Sequence, residues 1–142
     1  MERSGSKMTP LEAQLLTDEG LKLRPYTDTA GKLTIGIGRN LQDVGISQEE
    51  ALYLLRNDII TAKKTLSVAL PWTSDLDSNR LDALTNMCFN LGINRLKGFH
   101  NFLAALQAKD WTTASSEMLS SLWAHQVGAR AVRLAKIIKD GQ

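Results

Sequence analysis

The sequence predicts an α+β fold, mostly helical, with one small β region near the N-terminus. Three observations carry this. Capping boxes open helices at Thr9 and Ser47, each with a glutamate three residues on. Apolar residues recur at helical spacing through most of the chain. That spacing stops between residues 25 and 38, where PYTDTAGKLTIGIG brings β-branched residues around a turn-like Thr29-Ala30-Gly31.

Taken in order, the elements are these. Thr9-Pro10-Leu11-Glu12 starts a helix that runs through Leu11, Leu15 and Leu16 and stops at Gly20. A hairpin or small sheet follows, with Gly36 and Gly38 where the backbone bends or is closely approached. Ser47 and Glu50 open ALYLLRNDIITAKKTL, with Ala51, Leu54, Leu55, Ile59 and Ala62 on one side. Pro71 ends that region. Ser74 with Asp77 caps a helix whose stripe of Leu81, Leu84, Cys88 and Leu91 ends at Gly92. Helices near 99–107, 111–123 and 128–139 complete the chain. Residues 1–7 are expected to be disordered and outside the fold.

The 142 residues, 43% hydrophobic and 23% charged, fit one domain and argue against a largely disordered chain. No run approaches the ~18–20 apolar residues of a membrane span, and MERSGSKMTP shows no secretory signal. The single cysteine, Cys88, fits neither a disulfide scaffold nor a zinc cluster and reads as a small buried hydrophobe. Residues 1–79 carry 9 Lys/Arg against 11 Asp/Glu, and residues 80–142 carry 8 against 4. That field is too modest, and too poor in interleaved aromatics, for a dedicated nucleic-acid binder. His100 and His125 have no ligand spacing, so neither a metal nor another cofactor is expected.

The β region holds the unusual chemistry. Glu19 closes the first helix, where the negative end of the macrodipole disfavours a carboxylate. Asp28 follows on the hairpin turn and Thr34 on the returning strand. Two carboxylates in different environments are what glycoside hydrolysis requires, one protonated as acid and one ionised as base or nucleophile. A plainer account also fits: Asp28 as an Asx-turn residue and Glu19 as a solvated helix end.

The stretch DEGLKLRPYTDTAGKLTIGIGR, residues 18–39, resembles the phage-type lysozymes, the muramidase endolysins. Their pattern is Glu-Gly, then Tyr-x-Asp-x-x-Gly-x-x-Thr-Ile-Gly-x-Gly. It is matched here at Glu19-Gly20 and at Tyr26, Asp28, Gly31, Thr34-Ile35-Gly36 and Gly38. The resemblance continues in ISQEEALYLLRNDI, LDALTNMCFNLGINRLKGF and WAHQVGARAVR, and so covers nearly all of residues 9–139.

It implies a lysozyme-like fold: a single domain over residues 1–142, with a small β-containing lobe (about 18–58) and a helical lobe (about 75–139) flanking a cleft. It implies Glu19 as general acid, Asp28 as second carboxylate and Thr34 as the hydroxyl that helps hold water. The bond would be the β-1,4 link between N-acetylmuramic acid and N-acetylglucosamine. An inverting outcome is implied as well, which the sequence spacing of the carboxylates does not decide. Arg130 matches an arginine that reaches toward the catalytic glutamate, Phe89 and Asn90 match cleft-lining positions, and Gln126 is a further supporting candidate.

There are departures from the pattern. Arg39 stands where many relatives have histidine, and could pair with Asp58. The segment from Asn40 to Ile46 is short, and Ala131 and Lys136 interrupt the pattern of the last helix.

The implied role is lysis of the host cell, by a monomer that waits in the host cytoplasm for a holin and then meets peptidoglycan. Two rival functions remain at this point. A lytic transglycosylase cuts the same bond without a water-activating carboxylate, so Asp28 and Thr34 speak for hydrolysis. A non-catalytic peptidoglycan- or membrane-active protein would instead use the basic tail. There Val132, Leu134, Ala135, Ile137 and Ile138 alternate with Arg130, Arg133, Lys136 and Lys139. That helix could meet an anionic outer membrane, or simply pack its apolar face on the helical lobe.

Overall fold

In the structure, a computed structural model describing residues 7–142, the first helix begins where its capping box places it. Thr9 N–H donates to Glu12 Oε1 at 2.7 Å, and Glu12 N–H donates to Thr9 Oγ1 at 3.1 Å. Helix α1 spans Pro10–Glu19, and Gly20 ends it at φ 75°. The expected disorder of residues 1–7 falls, for residues 1–6, outside the described residues.

The β region is a three-stranded antiparallel sheet: β1 (Lys22–Thr27), β2 (Leu33–Gly36) and β3 (Arg39–Asn40), in that order. It starts three residues earlier than the sequence indicated. Pro25 cannot donate to a ladder, and it lies in an edge strand where the register shifts between Lys22 and Tyr26. Thr34 pairs with Tyr26 on one side and Asn40 on the other, which makes it the centre of the sheet.

Helix α2 runs over Gln48–Ala69, longer than its apolar stripe, with Glu50 closing its capping box onto Ser47. The chain then divides into two compact units, one ending at Leu52 and the other spanning Tyr53–Gln142.

The second unit contains α3 (Ser78–Leu91), α4 (Ile93–Lys97), α5 (His100–Gln107), α6 (Trp111–Leu119), α7 (Leu122–Val127) and α8 (Ala129–Asp140). Two expectations need correction here. Ser74 does not cap α3: a 3-10 helix occupies Pro71–Asp75, the Ser74 hydroxyl donates to Pro71 O, and Asp77 caps alone. The helix expected over 111–123 breaks at Ser120-Ser121, because Ser121 caps a new turn by accepting from Ala124 N–H at 3.1 Å. None of the residues in the α2 stripe is buried: Leu54 and Leu55 are exposed, and the one buried residue of α2 is Leu66.

The core lies in this unit, with Leu84, Met87, Leu96, Leu106, Met118 and Ile138 fully buried. Helix α8 turns Ala131, Leu134, Ala135 and Ile138 into that core. Arg80 caps its C-terminus: Nε donates to Ile138 O at 2.6 Å and Nη2 to Lys139 O at 3.0 Å, with the guanidinium over the Trp111 ring. The apolar face of the basic tail is packed, while Arg133, Lys136 and Lys139 remain exposed on its other side.

Candidate active site

The N-terminal unit brings Asp28 and Thr34 together through the backbone of one residue, Lys32. Asp28 follows β1 directly and opens a turn in which Gly31 N–H donates to Asp28 O. Its carboxylate Oδ1 accepts from Ala30 N–H at 2.9 Å and from Lys32 N–H at 2.8 Å. The Lys32 carbonyl in turn accepts from Asp28 N–H at 2.9 Å and from the Thr34 hydroxyl at 2.9 Å. Lys32 therefore ties the second carboxylate to the threonine, a role with no mark in sequence because its backbone performs it.

The Asx turn is real, and it leaves chemistry available. Both bonds to the carboxylate use Oδ1, and among the described residues Oδ2 has no hydrogen-bond partner. Thr34 spends its proton on Lys32 O, so its oxygen faces any further group as an acceptor. It is 2% exposed, the one buried residue of the described N-terminal unit.

Glu19 is the last residue of α1, exposed, with its side chain laid along the turn between β2 and β3. Both expectations for the turn glycines hold at Gly38: the backbone bends there at φ 74°, and Glu19 approaches it closely. Gly36 shares the bend, also at φ 74°, without a close neighbour.

Arg39 pairs with Glu50, not with Asp58. Nη1 reaches Glu50 Oε1 at 2.8 Å and Nη2 reaches Oε2 at 2.7 Å, while Nη1 also donates to Gly45 O. Glu50 was already fixed on the first turn of α2 by its bond from Ser47 N–H, so it offers a preset two-oxygen fork to a planar guanidinium. That bond from Arg39, then the one from Ser47, holds the Glu50 carboxyl down at about 2, and Glu50 in turn raises Arg39. This pair closes the 40–47 loop beside the sheet.

In the C-terminal unit, Arg130 is held by Asn86: Nε and Nη2 both donate to Asn86 Oδ1, at 3.0 and 2.8 Å. These two residues and Phe89 line a cavity of about 450 Å³ with Leu55, Ile59 and Thr85. The α2 stripe thus meets open space at Leu55 and Ile59. Asn90 serves packing, accepting from the buried Trp123 indole N–H at 2.8 Å. Gln126 is exposed on α7. Asn86 escaped the sequence reading, although it sits one helical turn before Phe89 and Asn90. Cys88 is buried, and that burial pushes its thiol pKa up, as suits a structural residue. Among the described residues no group of three or more His, Cys, Asp or Glu could hold a metal ion.

The chain has counterparts among known proteins. The Phage lysozyme family matches residues 17–137. Relatives include "Probable T4-type lysozyme 1" of Dictyostelium discoideum, 30% identical over 94% of this chain and 96% of that protein. An "Endolysin" of Acyrthosiphon pisum secondary endosymbiont phage 1 is 33% identical over 87% of this chain and 84% of its own length. The "Pre-baseplate central spike protein Gp5" of Enterobacteria phage T4 is 32% identical over 89% of this chain but 27% of that longer protein. The chain belongs to the phage lysozyme family, and with it to the glycoside hydrolases.

Proposed function

We propose that this lysozyme hydrolyses the β-1,4 bond between N-acetylmuramic acid and N-acetylglucosamine in peptidoglycan, and that it serves lysis of a phage's host cell. Glu19 donates a proton to the glycosidic oxygen as the bond to the anomeric carbon breaks. Asp28, through the oxygen its turn leaves open, takes a proton from water as that water attacks the same carbon. Thr34 accepts a hydrogen bond from the water and holds it for attack, and a water delivered to the opposite face gives inversion. Arg130 and Phe89, which line the cavity of the C-terminal unit, are the supporting side chains proposed for substrate there; Asn90, which holds Trp123, and Gln126 do not line that cavity. The enzyme would wait in the host cytoplasm for a holin to open the inner membrane.

The observation that carries this reading is the Asp28–Lys32–Thr34 linkage. It orients an aspartate and a hydroxyl together while leaving an acceptor oxygen on each. A transglycosylase would have no use for that arrangement, since it needs no water-holding pair. Digestion of purified peptidoglycan tests it, with wild type beside Glu19→Gln. New reducing ends from wild type, and a loss of ~10²–10⁴-fold in Glu19→Gln, are expected. Products ending in 1,6-anhydro sugar, or a variant keeping a tenth of the activity, would contradict it.

A further inference from the structure

We propose that Gly38 is a positioning residue for the acid: its missing side chain is the seat in which the Glu19 carboxylate lies. This rests on the assignment of Glu19 as acid, and its geometry is independent of that assignment. A Cβ built on Gly38 would stand 2.7 Å from Glu19 Oε2, 3.0 Å from Cδ and 3.2 Å from Cγ. The whole end of the glutamate side chain is laid over this one α-carbon. Gly20, Gly31, Gly36 and Gly45, the other glycines of the described N-terminal unit, have nothing within 4 Å of that position.

Two demands thus coincide at Gly38, and they can be separated. One is backbone conformation: φ is 74°, which strains any L-residue. The other is space. Ordinary contact begins near 3.4 Å, so a methyl group would drive Oε2 back by several tenths of an ångström. The group that gives way is the free end of a flexible side chain, so relieving the overlap costs the fold little. It displaces the acid instead, and displacements of about 1 Å at a reacting centre cost on the order of 10²-fold in rate.

Gly36 supplies the control, because it shares the φ of 74° and lacks the neighbour. Gly36→Ala and Gly38→Ala should lose similar thermal stability. On soluble peptidoglycan fragments, Gly38→Ala should show kcat about 100-fold below that of Gly36→Ala with KM within about threefold. Equal kcat in the two variants would overturn the proposal, as would a loss confined to KM. If Gly38→Ala does not fold, Glu19→Ala/Gly38→Ala decides. Its melting temperature should return to that of Gly36→Ala once the occupant of the seat is gone, and failure to recover would overturn the proposal. Glu19→Gln, assayed alongside, separates the two claims. Activity there removes the acid role itself, whereas an inert Glu19→Gln with equal kcat in the glycine variants removes only the positioning by Gly38.

Discussion

The two compact units of this chain are held together by different physics. In the described part of the N-terminal unit Thr34 alone is buried, and α1 buries no residue at all. What fixes its conformation is local and directional: a capping box, an Asx turn, three short strands and the Arg39–Glu50 fork. Every buried hydrophobic side chain among the described residues lies in the C-terminal unit, where Leu84, Met87 and Leu106 are fully buried. Hydrophobic burial is non-directional and tolerant of small shifts, whereas hydrogen bonds to a carboxylate set an oxygen's position. Glu19, Asp28 and Thr34 all sit in the unit built on the second kind of force.

That contrast can be broken at several points. The largest effect on stability is expected in the packed unit. Leu84→Ala removes a fully buried side chain from α3 and should cost about 2–5 kcal/mol in denaturant unfolding. A cost below 1 kcal/mol would mean that the core is not what holds this unit.

A smaller effect, with a different signature, belongs to the loop clamp. The Glu50 carboxyl, ordinarily near 4.5, is lowered to about 2 in the folded chain, chiefly by its bond from Arg39. A carboxylate with a depressed folded pKa contributes stability above its unfolded value and loses that contribution as pH falls through the folded one. The contribution is thus complete above about pH 4.5 and fades toward pH 2. Glu50→Gln should flatten the acid dependence of unfolding in that window and leave stability at pH 7 only slightly reduced, since the pair is partly exposed. Identical acid limbs for wild type and variant would contradict the clamp.

The smallest effect is expected on the outer face of α8. Its apolar side is already packed, and Lys136 pairs with Asp140. Changing Lys136 and Lys139 to Gln should leave hydrolysis of purified peptidoglycan unchanged. It should also leave killing of intact Gram-negative cells unchanged across a salt series. A salt-dependent loss of killing would instead give the tail a membrane role.

The same contrast explains what the sequence could say. Helices with their own start signals were legible: Thr9 with Glu12 and Ser47 with Glu50 form the boxes expected of them. The stripe of α3, from Leu84 to Leu91, reports its burial directly because a packed helix must repeat every three or four residues. Where two local signals competed, order was harder to read. Ser74 and Asp77 both suit a cap, and a proline-led 3-10 turn decided between them. Arg39 was expected to reach Asp58, and it pairs instead with Glu50, whose own cap fixes it. At the site, Glu19, Asp28 and Thr34 stood out as residue types. Lys32 did not, because it acts through its backbone N–H and C=O, nor did Asn86, whose role depends on where the Arg130 side chain lies.

The central claim is that Asp28 does chemistry as well as holding its turn, and Asp28→Asn tests it most directly. An asparagine carbonyl oxygen can still accept from Ala30 and Lys32, so the Asx turn survives while the carboxylate is lost. Clearing of purified peptidoglycan and the melting temperature should be measured on the same preparation. The account predicts a rate reduced by ~10²–10⁴-fold with a melting temperature close to wild type. Clearing at the wild-type rate would reduce Asp28 to a turn residue and contradict the account.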